Sequence, residues 1–204
     1  MKTLYIAEKP DMGRTLAAYL WKEDCKRESG YIYHGDTTVT WAIGHILVQG
    51  TPEMYGEAYK TWANYPVIPQ QWIMKPSANT AKQFETVAKL LKDTDVVIHA
   101  GDPDREGQLL IDEILDYCNF TGEVRRLLMR AKDDGSLKRA FAEIRDNKEF
   151  EGLYHAGLAR TRADWLIGMN LSRAYTVNAR KYGCSGVFRI GRVKIPTLAL
   201  VVQL

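Results

Sequence analysis

The chain has 204 residues, of which 46% are hydrophobic and 26% are charged, and its formal net charge is +3. This composition is typical of a globular protein, and no apolar run approaches the roughly 20 residues that a membrane helix needs. Glu8 comes too early for a signal peptide, and the three cysteines form neither a disulfide framework nor a zinc pattern. We therefore expect a cytoplasmic protein without a membrane partner.

The first third of the chain contains short elements and one irregular segment. Thr3–Ala7 is a short apolar run that predicts a strand, which Pro10 prevents from continuing. Leu16–Leu20 is helical in pattern, and the two apolar runs around Gly35-Asp36 predict a hairpin. Residues 50–76 hold four prolines and two tryptophans, which indicates an irregular excursion pinned by aromatic side chains.

Strands and helices then alternate up to about residue 150. A helix with the apolar face Phe84, Val87, Ala88 and Leu91, capped by Ser77 or Asn79, is followed by a strand at Val96–His99, a helix at Arg105–Tyr117, a strand at Val124–Met129 and a helix capped by Ser136. This alternation predicts an α/β domain with a mostly parallel, Rossmann-like sheet over residues 1–150.

The remaining residues, 151–204, predict the first part of a mainly helical domain. Residues 151–182 are helical in pattern, and Arg162, Arg173 and Arg180 fall within about 20° of one line on that helix, so they could follow a phosphate backbone. A final helix at Thr197–Leu204 leaves its apolar residues uncovered, which indicates an incomplete domain.

The charge is distributed unevenly between these two parts. Residues 151–204 contain eight Lys and Arg against two acids, a formal charge of +6, so residues 1–150 carry −3. An acidic segment followed by a basic one favours a protein that handles a polyanion at a metal site. The alternative on charge alone is a solvated, arginine-rich helix.

The strongest chemical signal is an acidic cluster behind the strand at Val96–His99. Asp102, Asp104 and Glu106 occupy alternate positions there, and carboxylates crowded together repel each other unless a cation neutralises them. Mg²⁺ does so with one or two carboxylates, several waters and a substrate phosphate. Asp104 and Glu106 as ordinary helix-start acids are the alternative explanation.

Glu8 ends the first predicted strand and joins this cluster if the two strands are neighbours. Ligands bind outside the carboxyl ends of the strands in open parallel sheets. We then expect the acidic trio to hold Mg²⁺, Glu8 to exchange a proton, and Lys9 to stabilise negative charge on a phosphate. An ordinary surface position for Glu8 is the alternative.

Several short motifs, in chain order, resemble the type IA DNA topoisomerases of bacteria, of the topoisomerase III kind. They are Ile6–Pro10, Thr40–His45, Gly101–Gln108, Ala159–Leu166, Gly191–Val193 and Pro196–Leu198. The first and third alone resemble the Toprim domain, which primases and small nucleases share. The others make the resemblance specific, and together they cover nearly the whole chain.

The resemblance implies a Toprim domain followed by the start of a helical domain that binds single-stranded DNA. It implies Mg²⁺-dependent relaxation or decatenation of DNA through a transient single-strand break. Glu8 and Lys9 would be catalytic, and Asp102, Asp104 and Glu106 would hold the metal. The residues in or beside the single-strand groove would be Arg160, Arg162, Asp164 and Arg192. Apart from the resemblance, the helical stripe predicts Arg173 and Arg180 as further basic contacts, and Lys194 should strengthen nonspecific attraction to phosphate.

Two departures from the family pattern matter. Lys194 and Ile195 stand where the family usually has Gln and then Ser or Thr. The family's nucleophilic tyrosine lies in a later domain, in a Tyr-Pro-Arg or Tyr-Thr-Arg setting that none of the eleven tyrosines here has, and we expect the gate domains to lie beyond this sequence as well. We therefore expect this chain alone to be inactive in relaxation. A freestanding Toprim nuclease or primase-like enzyme, and a non-catalytic DNA-binding module, are the alternatives.

Overall fold

Residues 1–203 are described by a computed structural model of the chain. The strands are β1 (Thr3–Ala7), β2 (Lys26–Glu28), β3 (Tyr31–His34), β4 (Thr37–Trp41), β5 (Leu47–Gln49), β6 (Met74–Pro76), β7 (Val96–Ala100), β8 (Glu123–Arg126) and β9 (Arg145–Asp146). The helices are α1 (Pro10–Trp21), α2 (Ala81–Leu91), α3 (Arg105–Tyr117), α4 (Asp134–Ala142), α5 (Glu151–Lys181) and α6 (Lys194–Gln203). Short 3₁₀ turns lie at Pro52–Tyr55, Glu57–Lys60, Ala78–Thr80 and Asn147–Phe150.

Seven of the strands form one mixed sheet in the order β2-β3-β4-β1-β7-β8-β9. Its centre, β4-β1-β7-β8, is parallel, while β2, β3 and β9 are added antiparallel at the edges. The predicted α/β fold with a mostly parallel sheet is confirmed. β5 and β6 form a separate two-stranded sheet.

The two central strands are buried on both faces, which explains their continuous apolar sequences. Tyr5 and Ala7 belong to one core cluster together with Met12 and Leu16 of α1. Leu4 and Ile6, which alternate with them, are 1% and 0% exposed, so the other face is covered as well. All five residues of β7 are buried, and its position is therefore fixed on both sides.

The chain divides into two compact units. The first comprises Met1–Val48 and Pro76–Gly157, and the second comprises Gln49–Lys75 together with the chain from Leu158 onward. The sequence predicted a single boundary after residue 150. It did not predict that the proline-rich excursion belongs with the later helical part.

Side chains of α5 explain why the excursion belongs to the second unit. Trp165 donates its indole N–H to the carbonyl of Gly50 at 3.1 Å, and Asn170 both accepts from the N–H of Val67 at 2.6 Å and donates to its carbonyl at 3.0 Å. Irregular backbone has no ladder partners, so these side chains satisfy polar groups that would otherwise be unpaired.

Several element boundaries differ from the predictions. Neither Ser77 nor Asn79 caps α2, whose N-cap is Thr80 without a side-chain hydrogen bond, and α4 is capped by Asp133 rather than by Ser136. The strand predicted to reach Met129 ends at Arg126, and the last helix begins at Lys194 rather than at Thr197. The predicted end of that helix, Leu204, lies outside the described residues.

Within residues 1–203, none of the helices is both long enough and apolar enough to cross a membrane.

Candidate active site

Glu8 and Asp102 meet at the carboxyl edge of the parallel sheet. β1 and β7 are paired in register so that Ala7 lies opposite Ala100. The segments that follow these two strands therefore leave the sheet side by side. The Glu8 carboxylate accepts a hydrogen bond from the backbone N–H of Asp102 at 3.1 Å, and its side chain is only 14% exposed. The structure thus joins the end of β1 to the acidic loop, residues 101–104, which lies between β7 and α3.

Lys9 connects the same two carboxylates. Its Nζ donates to Oδ2 of Asp102 at 2.9 Å and lies 3.5 Å from Oε1 of Glu8. The hydrogen bond to Asp102, helped by the charges of Glu8 and Asp102, raises the pKa of Lys9 above its usual value. The ammonium group therefore stays charged at neutral pH and partly neutralises the acidic edge.

The other two acids of the trio have different partners. Asp104 is the N-cap of α3, and its carboxylate accepts from the N–H of Gly107 at 2.8 Å. Glu106 lies in the first turn of that helix, with Oε2 3.9 Å from Nε2 of His45. The helix dipole favours both acids at this end.

Among residues 1–203, no three His, Cys, Asp or Glu side chains are close enough together to form a complete metal cage. Asp102 and Asp104 nevertheless line one cleft, and both offer carboxylate oxygens. This donor set suits Mg²⁺, which takes one or two carboxylates and completes its shell with waters and phosphates. The residues present therefore fit a magnesium ion held mainly by Asp102 and Asp104.

A buried arginine binds the backbone of the acidic loop. Arg126 is 0% exposed, and its guanidinium donates to the carbonyls of His99, Gly101 and Asp102 at 3.1, 2.9 and 2.8 Å. Burial lowers the pKa of Arg126 to about 10, so it remains a cation at neutral pH. These hydrogen bonds from Arg126 hold the backbone around Asp102 in one conformation.

Gln108 extends this support toward the end of the first unit. Its side-chain oxygen accepts from Nε of Arg126 at 2.7 Å, and its amide donates to Asp112 and to Asn147, both at 2.8 Å. Asn147 donates in turn to Asp112 at 2.9 Å. Sequence reasoning missed these residues, although Gln108 is the last residue of the acidic motif and Arg126 is a charged residue within a predicted strand.

Two glycines allow α3 to approach the acidic loop. A Cβ atom on Gly107 would lie 2.4 Å from the carbonyl oxygen of Asp102, and one on Gly101 would lie 2.3 Å from the carbonyl oxygen of Gly107. Both contacts are with backbone, which cannot move aside cheaply. Glycine at these positions is therefore required by close packing.

The predicted DNA-binding residues lie in the second unit, and three of them form one charged cluster. Nε of Arg192 donates to Oδ1 of Asp164 at 2.7 Å, and Nε of Arg160 lies 3.8 Å from Oδ2 of the same carboxylate. The hydrogen bond from Arg192 lowers the pKa of Asp164. Lys194 is the exposed first residue of α6.

The basic stripe predicted along α5 is interrupted at its centre. Arg173 is 2% exposed, and its guanidinium donates to the carbonyls of Asn64, at 3.0 Å, and Tyr59. It was predicted to contact DNA, but in the structure it satisfies backbone oxygens of the excursion. Arg162 and Arg180 stack on tryptophans of the excursion, 5.2 Å from the ring of Trp72 and 5.9 Å from that of Trp62.

Comparison with known families agrees with this arrangement of strands and acids. Residues 3–131 match the model of the Toprim domain. The chain belongs to the Toprim domain family. Residues 148–204 match a second model, described as DNA topoisomerase, so a Toprim domain is followed here by topoisomerase sequence of the type IA class.

Relatives with the same organisation are named DNA topoisomerase 3. The protein from Vibrio cholerae is 48% identical over all of this chain, and the one from Bacillus subtilis is 36% identical over 99% of it. The chain spans 32% and 27% of their lengths, respectively. Full-length topoisomerase I from Thermotoga maritima has a similar fold, with a TM-score of 0.56 at 19% identity over 83% of this chain and 25% of its own length.

Proposed function

We propose that this chain provides the Toprim half of a Mg²⁺-dependent type IA topoisomerase, which changes DNA topology by transient cleavage and religation of one strand. The observation that carries the proposal is the contact of Glu8 with the Asp102 loop, bridged by Lys9. A proton-transfer group, a fixed cation and carboxylate donors at one sheet edge suit phosphodiester chemistry.

Glu8 and Lys9 have distinct roles in this proposal. Glu8 donates a proton to the oxygen that leaves the phosphate during cleavage, and it takes that proton back during religation. Lys9 stabilises the negative charge that develops on the phosphate. The nucleophilic tyrosine of the family pattern is missing from the eleven tyrosines here, so the remaining part of a parent enzyme would supply it.

Asp102, Asp104 and Glu106 are the proposed magnesium ligands. Asp102 and Asp104 line one cleft, and Glu106 contributes from the first turn of α3 through water. When bound, Mg²⁺ supplies charge neutralisation for the phosphodiester and the surrounding carboxylates. Arg126 keeps the backbone of Asp102 in place for this role.

Single-stranded DNA is the proposed partner of the second unit. Arg160, Arg192 and Lys194 supply exposed or partly exposed positive charge, and Asp164 orients two of these arginines. Arg162 and Arg180 add positive charge, while the burial of Arg173 removes it from this role. We also propose a cytoplasmic location, because the relatives come from bacteria, whose DNA lies in the cytoplasm.

The test is a chimera in which this chain replaces the matching third of the Vibrio cholerae relative. The chimera should relax negatively supercoiled plasmid in Mg²⁺ and should stop when the metal is chelated. Glu8→Gln should abolish relaxation while leaving oligonucleotide binding unchanged. Glu85→Gln, an exposed acid on α2, is the matched control and should relax plasmid normally.

A folded chimera that binds DNA but never relaxes it would contradict the proposal. The 204-residue chain alone should neither relax nor nick plasmid. Mg²⁺-dependent nicking by that chain, abolished by Glu8→Gln, would instead establish a nuclease. DNA binding that survives both Glu8→Gln and Asp102→Asn, in a chimera with no activity, would leave only a binding module.

A further inference from the structure

We propose that the cleft lined by Asp102 and Asp104 also binds one backbone phosphate of single-stranded DNA, through Arg130 and Lys132. This inference rests on the proposed function and adds a strand-positioning subsite to it. The cleft has a volume of about 440 Å³ and is lined by Lys9, Asp11, Asp102, Asp104, Arg130 and Lys132.

Three neighbouring parallel strands deliver these side chains to one place. Lys9 follows β1, Asp102 follows β7, and the segment with Arg130 and Lys132 follows β8. Because the carboxyl ends of parallel strands meet at one edge, Arg130 and Lys132 line the same cleft as Asp102 and Asp104, the proposed magnesium ligands. A DNA strand whose reacting phosphate lies at those carboxylates therefore places a neighbouring phosphate within reach of Arg130 and Lys132.

The three basic side chains of the cleft differ in whether they have an acidic partner. Lys9 is held by Asp102 and Glu8, and Lys132 pairs with Asp11. Arg130 is exposed and has neither a hydrogen bond nor an ion pair with any of residues 1–203. Its guanidinium carries five donors in a fork that matches a phosphate, and it is already free to use them.

Lys132 can join Arg130 on the same phosphate. Its side chain is 51% exposed and that of Asp11 is 65% exposed, so their ion pair is a surface pair. Such pairs contribute little, because water already solvates both charges. Exchanging the Asp11 carboxylate for a phosphate oxygen therefore costs little free energy. Lys132 then provides a second cation at the subsite.

The experiment compares two double variants of the 204-residue chain by fluorescence anisotropy with a short labelled single-stranded oligonucleotide. Arg130→Gln with Lys132→Gln removes the proposed subsite. Lys138→Gln with Arg139→Gln removes the same two charge types from exposed positions on α4, outside the cleft. We expect the first pair to weaken binding about tenfold and to reduce the salt slope by about 0.7, the value for one phosphate of a single strand, and the control to change affinity less than about threefold.

A neutral linkage in the oligonucleotide locates the contact. One methylphosphonate is moved along the strand, and the wild type should lose affinity at the linkage that enters the cleft. In the Arg130→Gln and Lys132→Gln variant that loss should disappear. Equal affinity of the two double variants, or an unchanged methylphosphonate profile, overturns the subsite.

The phosphate subsite and the proposed topoisomerase activity can be tested independently of each other. An inactive chimera with intact methylphosphonate coupling would refute topoisomerase activity and keep the subsite. An active chimera whose DNA binding ignores Arg130 and Lys132 would do the reverse.

Discussion

The Glu8 carboxylate accepts a hydrogen bond from the backbone N–H of Asp102, 94 positions further along the chain, at 3.1 Å. The contact exists because β1 and β7 are adjacent parallel strands that end at the same level. It brings a carboxyl group suited to proton transfer next to the loop that carries the proposed metal ligands. The proposed phosphodiester chemistry depends on that adjacency.

Arg126 should be a major contributor to the stability of the first unit. Arg126→Met keeps most of the side-chain volume but leaves the carbonyls of His99, Gly101 and Asp102 without their buried donor. We expect a loss of about 3 kcal/mol or more in the free energy of unfolding, measured by urea denaturation.

The neighbouring arginine offers a matched control for this variant. Arg125 is 52% exposed and pairs only with the equally exposed Glu123 among the described residues. Arg125→Met should therefore cost less than about 1 kcal/mol. Equal effects at the two positions would show that the buried network does not stabilise the fold.

Gly107→Ala should disturb the acidic loop more than the helix that contains it. The new Cβ would lie 2.4 Å from the Asp102 carbonyl oxygen, so the loop must shift. We expect reduced metal affinity by Mn²⁺ titration together with lower thermal stability. Gly152→Ala, also helical and with nothing within 4 Å of its Cβ, is the control and should be neutral or stabilising. Unchanged metal affinity in Gly107→Ala would contradict a close coupling of helix and loop.

Part of the candidate site could be predicted from the sequence because the acidic residues lie at alternate positions directly after a recognisable buried strand. Asp102 and Asp104 were predicted in this way. Glu8 was placed near them because ligands bind at the carboxyl ends of strands in an open parallel sheet. The support from Arg126, Gln108 and Asn147 was not predictable. Arg126 donates to backbone oxygens 24 to 27 positions away, and backbone acceptors leave no pattern in the sequence. The hydrogen bonds from Arg126 to Gln108 and from Gln108 to Asn147 join side chains that are 18 and 39 positions apart.

His99 should make the protein less stable in mild acid. It is completely buried, and burial, with the charge of Arg126, holds its pKa well below the usual 6.5. Below about pH 6.5 the unfolded chain takes up a proton that the folded chain does not, so stability should fall as the pH falls, by up to about 1.4 kcal/mol per pH unit.

The measurement is urea denaturation between about pH 5.5 and 7.5. Asp112, 3.7 Å from His99, has its pKa raised by burial from 3.8, and its contribution has the opposite sign at lower pH. His99→Gln should flatten the slope whatever its absolute stability, and His34→Gln, at an exposed histidine, should preserve it. A slope that survives His99→Gln would assign the acid sensitivity to other groups.

Arg173 and Lys194 should separate folding from DNA binding in the second unit. Arg173→Met removes the donor to Asn64 and Tyr59, so it should lower thermal stability. Lys194→Gln removes an exposed charge, so it should leave stability unchanged and reduce the salt slope of oligonucleotide binding by about 0.7. The assignment fails if Arg173→Met changes the salt slope while its melting temperature stays constant.

The same comparison shows why the basic stripe could not be settled from the sequence. Helical periodicity placed Arg162, Arg173 and Arg180 on one line, but it does not tell which side of the helix another segment covers. The excursion covers part of that line, because Arg173 donates to the carbonyls of Asn64 and Tyr59, which lie 109 and 114 positions earlier in the chain. The caps of α2 and α4 were mispredicted for a local reason, since Ser, Thr, Asn and Asp compete within a few positions.

The most direct test of the central claim is a Mn²⁺ titration, followed by electron paramagnetic resonance, of the chain mixed with a single-stranded oligonucleotide. If Glu8 and the Asp102 loop share one ion-binding edge, Asp102→Asn and Asp104→Asn should each weaken Mn²⁺ binding about tenfold or more. Glu8→Gln should alter the spectrum of the bound ion, and Glu85→Gln should change neither affinity nor spectrum. Identical titration curves for all four variants and the wild type would contradict the account.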